Sequence, residues 1–153
     1  MGTFEVSRST TIAADPGRLH ELIDDFHQWT QWSPWEALDP EMKRTYSGPT
    51  AGKGARYSWK GNRKAGEGNM EITGTGPDGV DIELRFVKPW KSTNQVRLNL
   101  APTSQGTDVT WIMTGEQTGL MAVFGKVIPM DRLVGKDFEK GLARLKAVAE
   151  QTA

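Results

Sequence analysis

From Thr3 to Ile12 apolar and polar side chains alternate. Phe4, Val6 and Ile12 fall on one parity and Glu5, Ser7 and Ser9 on the other. A period of two marks a strand with one dry and one wet face. Asp15-Pro16 then offers a helix N-cap and a proline at the first helical position. Leu19, Leu22, Ile23 and Phe26 follow at helical spacing, which predicts a short helix ending near His27. Trp29, Trp32 and Trp35 come next, with Ser33-Pro34 among them. Proline disfavours helix in the residue before it, so a second short helix or a turn should end before Pro34.

From about Met42 the period of two returns and persists. Met42 to Ser47 reads as a strand, closed by Gly48-Pro49-Thr50-Ala51-Gly52. Ala55 to Gly61 sets Ala55, Tyr57 and Trp59 against Arg56, Ser58 and Lys60. Gly66 to Gly74 sets Met70 and Ile72 against Asn69 and Glu71, and Pro77-Asp78-Gly79 is a strong turn. Val80 to Val87 alternates most clearly, with Val80, Ile82, Leu84 and Phe86 dry. Thr93 to Leu100 turns Val96, Leu98 and Leu100 inward. After Ser104-Gln105-Gly106, the strand Thr107 to Gly115 does the same with Val109, Trp111 and Met113. Gly119 to Val127 is apolar and fits neither period. Met130 to Gln151 is the longest helical pattern, with Met130, Leu133, Val134, Phe138, Leu142, Leu145 and Val148 on one stripe.

The order is strand, two short helices, about six strands, then one long helix, an α+β chain. Short turns imply an antiparallel meander with one dry face. The long striped helix must cover that face, and a strongly curved sheet wrapped around it is the simplest solution.

Composition narrows what such a domain can do. Its 153 residues suit one domain, spanning 1–153. Nineteen basic and nineteen acidic side chains balance to a net charge of zero. That argues against nucleic acid as a partner and gives no polybasic case for an anionic membrane. No apolar stretch approaches the ~18 residues of a span, so stable membrane insertion is not expected. The first residues lack a secretory pattern, so a cytoplasmic protein is expected. With no cysteine and only His20 and His27, neither a Cys-based zinc site nor a His-rich metal centre can form, and no cofactor is called for. Six of the thirteen aromatic residues are tryptophan.

The residues also resemble a family. The relevant succession is Trp32-Ser33-Pro34-Trp35, Gly52-Lys53-Gly54-Ala55 with Tyr57 and Trp59, and Gly66-Glu67-Gly68-Asn69-Met70. It continues with Phe86-Val87-Lys88-Pro89, Gly106-Thr107 with Val109-Thr110-Trp111, and Gly135-Lys136-Asp137-Phe138-Glu139-Lys140-Gly141-Leu142 with Leu145-Lys146. Over nearly its whole length the chain is similar to the START-like superfamily, in its polyketide cyclase/dehydrase-type (SRPBCC) branch. That resemblance implies a Bet v 1-like helix-grip fold: seven antiparallel strands curved around a C-terminal helix, with a hydrophobic cavity between them. Members include lipid carriers, receptors, cyclases and chaperone co-factors, so fold does not decide activity. In the family the segment around Trp35 borders the cavity entrance.

Candidate residues follow from the dry face. Tyr57, Trp59, Met70, Ile72, Leu84, Phe86, Leu98, Trp111 and Met113 share it; plain core packing is the competing reading for each. Trp32 and Trp35 are placed at the entrance and Trp29 in packing, while Trp90 falls in a loop. Phe124, Met130, Val134 and Phe138 complete the lining from the C-terminal part. Trp59 and Trp111 could instead fill the cavity, while Met70, Met113, Met121 and Met130 would suit an adaptable lining.

Gly66, Gly68, Gly74 and Gly76 lack the Lys-Ser/Thr of a phosphate loop and read as bulges. Gly141, which costs about 1 kcal/mol against alanine in a helix, should allow close approach of a strand or leave room for ligand; Gly135 reads the same way. For catalysis Tyr57 is the general-acid candidate, with Glu36 second; Glu36 and Asp39 could lie at the cavity mouth. His20 and His27 have no carboxylate partner predicted beside them, and Asp24-Asp25 reads as a solvated edge.

The chain is therefore expected to bind a small hydrophobic molecule, lipid-like or aromatic, with Tyr57 and Asn69 or Glu36 orienting it. A cyclase or dehydratase using the same cavity is the alternative, and a protein-interaction module the third. Association into a homodimer is left open.

Overall fold

The computed structural model describes residues 2–34, 41–62, 66–88, 91–117 and 130–151. Among them, every strand that the alternation predicts is present. The strands are β1 (Gly2–Ile12), β2 (Lys43–Ser47), β3 (Arg56–Lys60), β4 (Glu67–Gly76), β5 (Gly79–Lys88), β6 (Ser92–Thr103) and β7 (Gly106–Gln117). They form one antiparallel sheet in the order β1-β7-β6-β5-β4-β3-β2. The meander runs from one edge to the other, and β1 closes on β7 along its whole length, from Gly2 opposite Gln117 to Ile12 opposite Thr107. The register of β4 against β5 shifts between Glu67 and Gly68 and again between Ile72 and Gly74. These are the bulges expected of that glycine-rich strand, and bulges bend a sheet.

Helix α1 (Pro16–Ile23) follows β1, and a single 3-10 turn (Gln28–Gln31) follows it. The first helix ends four residues before His27, where the apolar spacing had put its end. Asp24 leaves helical geometry at ψ 4°, and the Asp25 carboxylate takes the backbone N–H of His27 at 2.9 Å. Such local side-chain capture competes with helix propagation. Phe26 stays buried all the same.

The long helix α2 (Met130–Gln151) lies across the inner face of the sheet. Its contacts move along β1 as the helix advances. Arg8 pairs with Glu139 at 2.8 Å, Lys146 donates to the Thr11 carbonyl at 2.9 Å, and Glu150 accepts the Ala13 N–H at 2.9 Å. The helix therefore runs parallel to β1, with its first turns toward the Phe4 end of that strand.

What holds helix to sheet is aromatic. Trp111 of β7 stacks on Phe138 of α2, with ring centroids 4.1 Å apart and planes 7° from parallel. Trp29 and Trp32 meet the Trp111 ring edge to face, at 5.9 and 5.5 Å. Trp29 donates its indole N–H to the Ile23 carbonyl (2.7 Å) and Trp32 to the Leu22 carbonyl (2.9 Å). These are among the last carbonyls of α1, which have no partner within the helix. The tryptophans thus cap α1 while packing the core. Arg144 adds a hydrogen bond to the Ser33 carbonyl at 3.0 Å.

Glycine sets the spacing. A Cβ at Gly141 would stand 2.8 Å from Trp111 Cζ3 and 3.0 Å from Pro34 Cδ. A Cβ at Gly135 would meet the end of the Arg8 side chain instead. Gly141→Ala should therefore lose about 1 kcal/mol or more in urea unfolding despite its better helix propensity. Gly135→Ala should be neutral or mildly stabilising, because a flexible guanidinium can step aside. Equal effects at the two positions would show that α2 does not rest on Trp111.

A second outcome concerns pH. The Glu150 carboxylate is held below its ordinary value of 4.5, first by the hydrogen bond from Lys146 and then by the Ala13 N–H. A carboxylate with a lowered pKa in the fold contributes stability above its ordinary value and loses it as pH falls through the lowered one. The melting temperature of Glu150→Gln should lie below that of the parent at pH 7, and the gap should close toward pH 3.

Candidate functional site

The register sorts the inner side chains into rows that cross the sheet. The row of Ala55, Ile72, Ile82, Val96, Met113 and Val6 is sealed, none more than 5% exposed. In the next row toward the helix C-terminus Val80, Leu98 and Trp111 are sealed, between exposed Thr75 and half-buried Arg8 at the two ends of the row. In the opposite direction closure weakens. Tyr57, Met70, Leu84 and Asn94 are still buried, but Gly115 and Phe4 at the end of their row are only partly so. In the outermost row Arg44, Trp59, Phe86 and Ser92 are all half-buried. The grip is solid at one end and loosens toward the first turns of α2.

Rings line the loose end. Trp59 lies over Gly68, where a Cβ would come within 2.5 Å of its Cη2 atom, and Phe86 meets it edge to face at 5.9 Å. Tyr57 stacks beside Trp59 at 6.1 Å and touches Tyr46 at 5.2 Å. Gly68 is thus the position that lets an indole lie flat on the sheet.

The sequence-predicted residues divide between the two ends. Ile72, Leu98, Trp111 and Phe138 belong to the packed end. Trp32, expected with Trp35 at the entrance, is instead fully buried between Trp29 and Trp111. Tyr57, Trp59, Met70, Leu84 and Phe86 fall at the loose end, with Met113 and half-buried Val134 nearer the middle. Asn69 is a correction: it points to the outer face, where its amide oxygen accepts from Arg85 at 3.3 Å. Trp35, Glu36, Asp39, Trp90, Met121 and Phe124 lie outside the described residues, as does the Gly119–Val127 segment. So does the side chain of Met130.

Five inner residues were not among the site candidates read from the sequence: Phe4, Arg44, Tyr46, Ser92 and Asn94. Their parity was the available signal. Asn94 shares it with Val96, and Phe4 shares it with Val6.

Both histidines do have a carboxylate beside them, contrary to expectation. His27 Nδ1 is 2.8 Å from Asp25 and its ring stacks on Tyr46 at 4.0 Å, beside a surface hollow of about 170 Å³. His20 sits 3.3 Å from Asp24 and 2.7 Å from the Thr75 hydroxyl. Burial raises the Asp24 carboxyl above the ordinary aspartate value, with the His20 charge opposing it. Both pairs lie at the end of α1; the His27–Asp25 pair borders the ring-lined row through Tyr46, which is paired with Tyr57 across β2 and β3, whereas the His20–Asp24 pair faces Thr75. Those inner rows hold no aspartate, glutamate or histidine among the described residues. No group of three or more metal-ligating side chains occurs among the described residues either.

With this geometry in hand, comparison with known proteins is informative. A family model described as polyketide cyclase/dehydrase and lipid transport matches residues 3–150. The chain belongs to that family. Solved structures agree on the fold. The Staphylococcus aureus protein SA2116, of unknown function, superposes with a TM-score of 0.70 at 12% identity, covering 99% of this chain and 96% of the other. A START superfamily protein from Mycobacterium smegmatis gives 0.66 at 16%, covering 99% and 100%. Protein CV1439 from Chromobacterium violaceum gives 0.66 at 17%, covering 97% and 96%. No curated protein matches the chain. As a polyketide cyclase/dehydrase and lipid-transport family member, the chain has the seven-stranded helix-grip architecture. No helix among its described residues is long and apolar enough to cross a membrane.

The Trp59 arrangement can be checked directly. Gly68→Ala should lift the indole from the sheet and shift tryptophan emission, and it should also lower the melting temperature, because its Cβ would come within 2.5 Å of the Arg85 backbone carbonyl. Unaltered emission would mean that Trp59 does not rest on Gly68.

Proposed function

We propose that the chain binds a small hydrophobic molecule, lipid-like or aromatic, between the inner face of the sheet and α2, and acts as its carrier or sensor. One observation carries this reading: the inner face is sealed at its Trp111 end and half-open at its Trp59 end, where rings line it. Apolar area removed from water is worth about 25 cal/mol per Å², so a ring-lined site can supply affinity with few polar contacts. Tyr57, Trp59, Met70, Leu84 and Phe86 are the lining residues on this reading. The family description, which includes lipid transport, supports it.

The same description names cyclases and dehydrases, and in that alternative Tyr57 would be the proton donor. Binding is preferred because the described inner rows lack a carboxylate or imidazole to act as base. Protein docking through the outer sheet face is disfavoured by its polarity. Arg97 pairs there with Asp81 at 2.9 Å and Arg56 with Glu71 at 3.4 Å.

The test is a panel of fatty acids, steroids and polycyclic aromatics, followed by tryptophan fluorescence and thermal shift. At least one class should bind and raise the melting temperature. On this reading the Phe ring of Leu84→Phe takes up ligand space, so the variant should keep stability within about 1.5 kcal/mol. It should also weaken that ligand about tenfold or more. Failure of every class to bind, together with a strongly destabilised Leu84→Phe, would mean that the grip is filled by its own side chains.

A further inference from the structure

We propose that Asn94 is the anchor for a hydroxyl group on the ligand, so that the molecule held in the grip carries an alcohol or a phenol rather than being a pure hydrocarbon. The inference rests on the ligand-binding reading above.

Asn94 stands on the inner face of β6, opposite Leu84 on one side and Gly115 on the other. It is 2% exposed, in a row otherwise made of Tyr57, Met70, Leu84, Gly115 and Phe4. Its amide nitrogen donates to the Ser92 hydroxyl at 3.4 Å. Its amide oxygen has no hydrogen-bond partner among the described residues. Buried polar side-chain atoms are nearly always paired, and each exception asks for a cause. An apolar residue would serve packing better here, as Val96 does two residues on.

Gly115 adds a second observation. A Cβ there would run into the Asn94 amide oxygen and stand 2.8 Å from the Phe4 ring. The missing side chain makes room for this amide beside an aromatic surface. The amide is therefore accommodated by its neighbours without being satisfied by them.

The chemistry selects the missing partner. A carbonyl-type oxygen needs a donor. An ammonium donor would bring a charge into rows that hold no carboxylate among the described residues, at a large desolvation cost. A hydroxyl donates without charge, and it can also exchange hydrogen bonds with the neighbouring Ser92. It is a small, uncharged donor suited to a row whose other side chains are apolar or, as in Tyr57 and Tyr46, aromatic with a hydroxyl of their own.

The experiment uses two matched pairs of probes that differ only by hydroxyl against methyl: p-cresol with p-xylene, and 2-naphthol with 2-methylnaphthalene. Each is titrated calorimetrically into the full chain and into Asn94→Leu, with Asn94→Val as a second variant. The parent should bind at least one phenol about tenfold more tightly than its methyl partner after correction for their different solubilities in water. In Asn94→Leu or Asn94→Val that preference should vanish while the methylated probe binds as before or better. The ligand-free variants should also melt above the parent, since an unpaired buried oxygen has been removed.

A phenol preference that survives both substitutions would overturn the anchor and leave the ligand-binding reading standing. So would equal binding of phenol and methyl partner by the parent. Binding of none of the four probes, where the panel of fatty acids, steroids and polycyclic aromatics does yield a ligand, would overturn the anchor alone; failure of that panel as well would remove both readings. Failure of both variants to fold would show that the amide is already satisfied as a structural group, which also overturns the proposal.

Discussion

The stack of Trp111 on Phe138 decides how far the long helix stands from the sheet, and the rest of the architecture follows from that distance. A curved sheet with a single helix across it encloses more space than ordinary side chains fill. One indole from β7, sandwiched by Phe138 and edged by Trp29 and Trp32, closes that space at one end. Gly141 makes the contact feasible, because any larger residue would push the helix off the ring. The same two tryptophans that edge the ring satisfy the free carbonyls of α1, so helix capping and core packing are one arrangement.

The asymmetry of the grip is the consequence. Aromatic bulk is spent near the middle and C-terminal half of α2, where Trp111 and the sealed rows lie. Toward the first turns of α2 the inner face keeps large rings, with Trp59 lying over Gly68. Trp59 does so because Gly68 has no side chain, and Phe86 turns its edge to it. Packing strength and openness are thus segregated along one element. The outer face carries ion pairs instead, consistent with a wet surface and a chain whose chemistry is turned inward.

Much of this was legible in the residue pattern. Alternation of the Val80–Phe86 type locates every strand, and the stripe through Phe138, Leu142 and Leu145 locates the long helix, because burial on one face imposes a period that local sequence records. The bulges of β4 were legible from its glycines, and the close approach at Gly141 from a glycine in mid-helix. Less legible was anything requiring knowledge of what stands opposite a side chain. Trp32 looks like an entrance residue from its neighbour Pro34, yet it is buried against a ring contributed from far along the chain. Asn69 and Asn94 look alike in sequence, and only parity and pairing put one on each face. The carboxylates beside His20 and His27 depend on where α1 stops, which a local Asp25 hydrogen bond decides.

The sequence by itself determined the order of the elements, the dry face of each strand and the family to which the chain belongs. Those properties depend on neighbours a few residues apart and on motifs read in line. Only the tertiary structure decided how the four described tryptophans divide between the packed end and the loose end, and that the amide oxygen of Asn94 has no hydrogen-bond partner among the described residues. The reason is that filling and satisfaction are properties of pairs brought together from distant segments. Trp111 is filler because Phe138 and Gly141 face it, and the Asn94 amide oxygen is an open acceptor among the described residues because its row neighbours Leu84, Gly115 and Phe4 carry no side-chain donor.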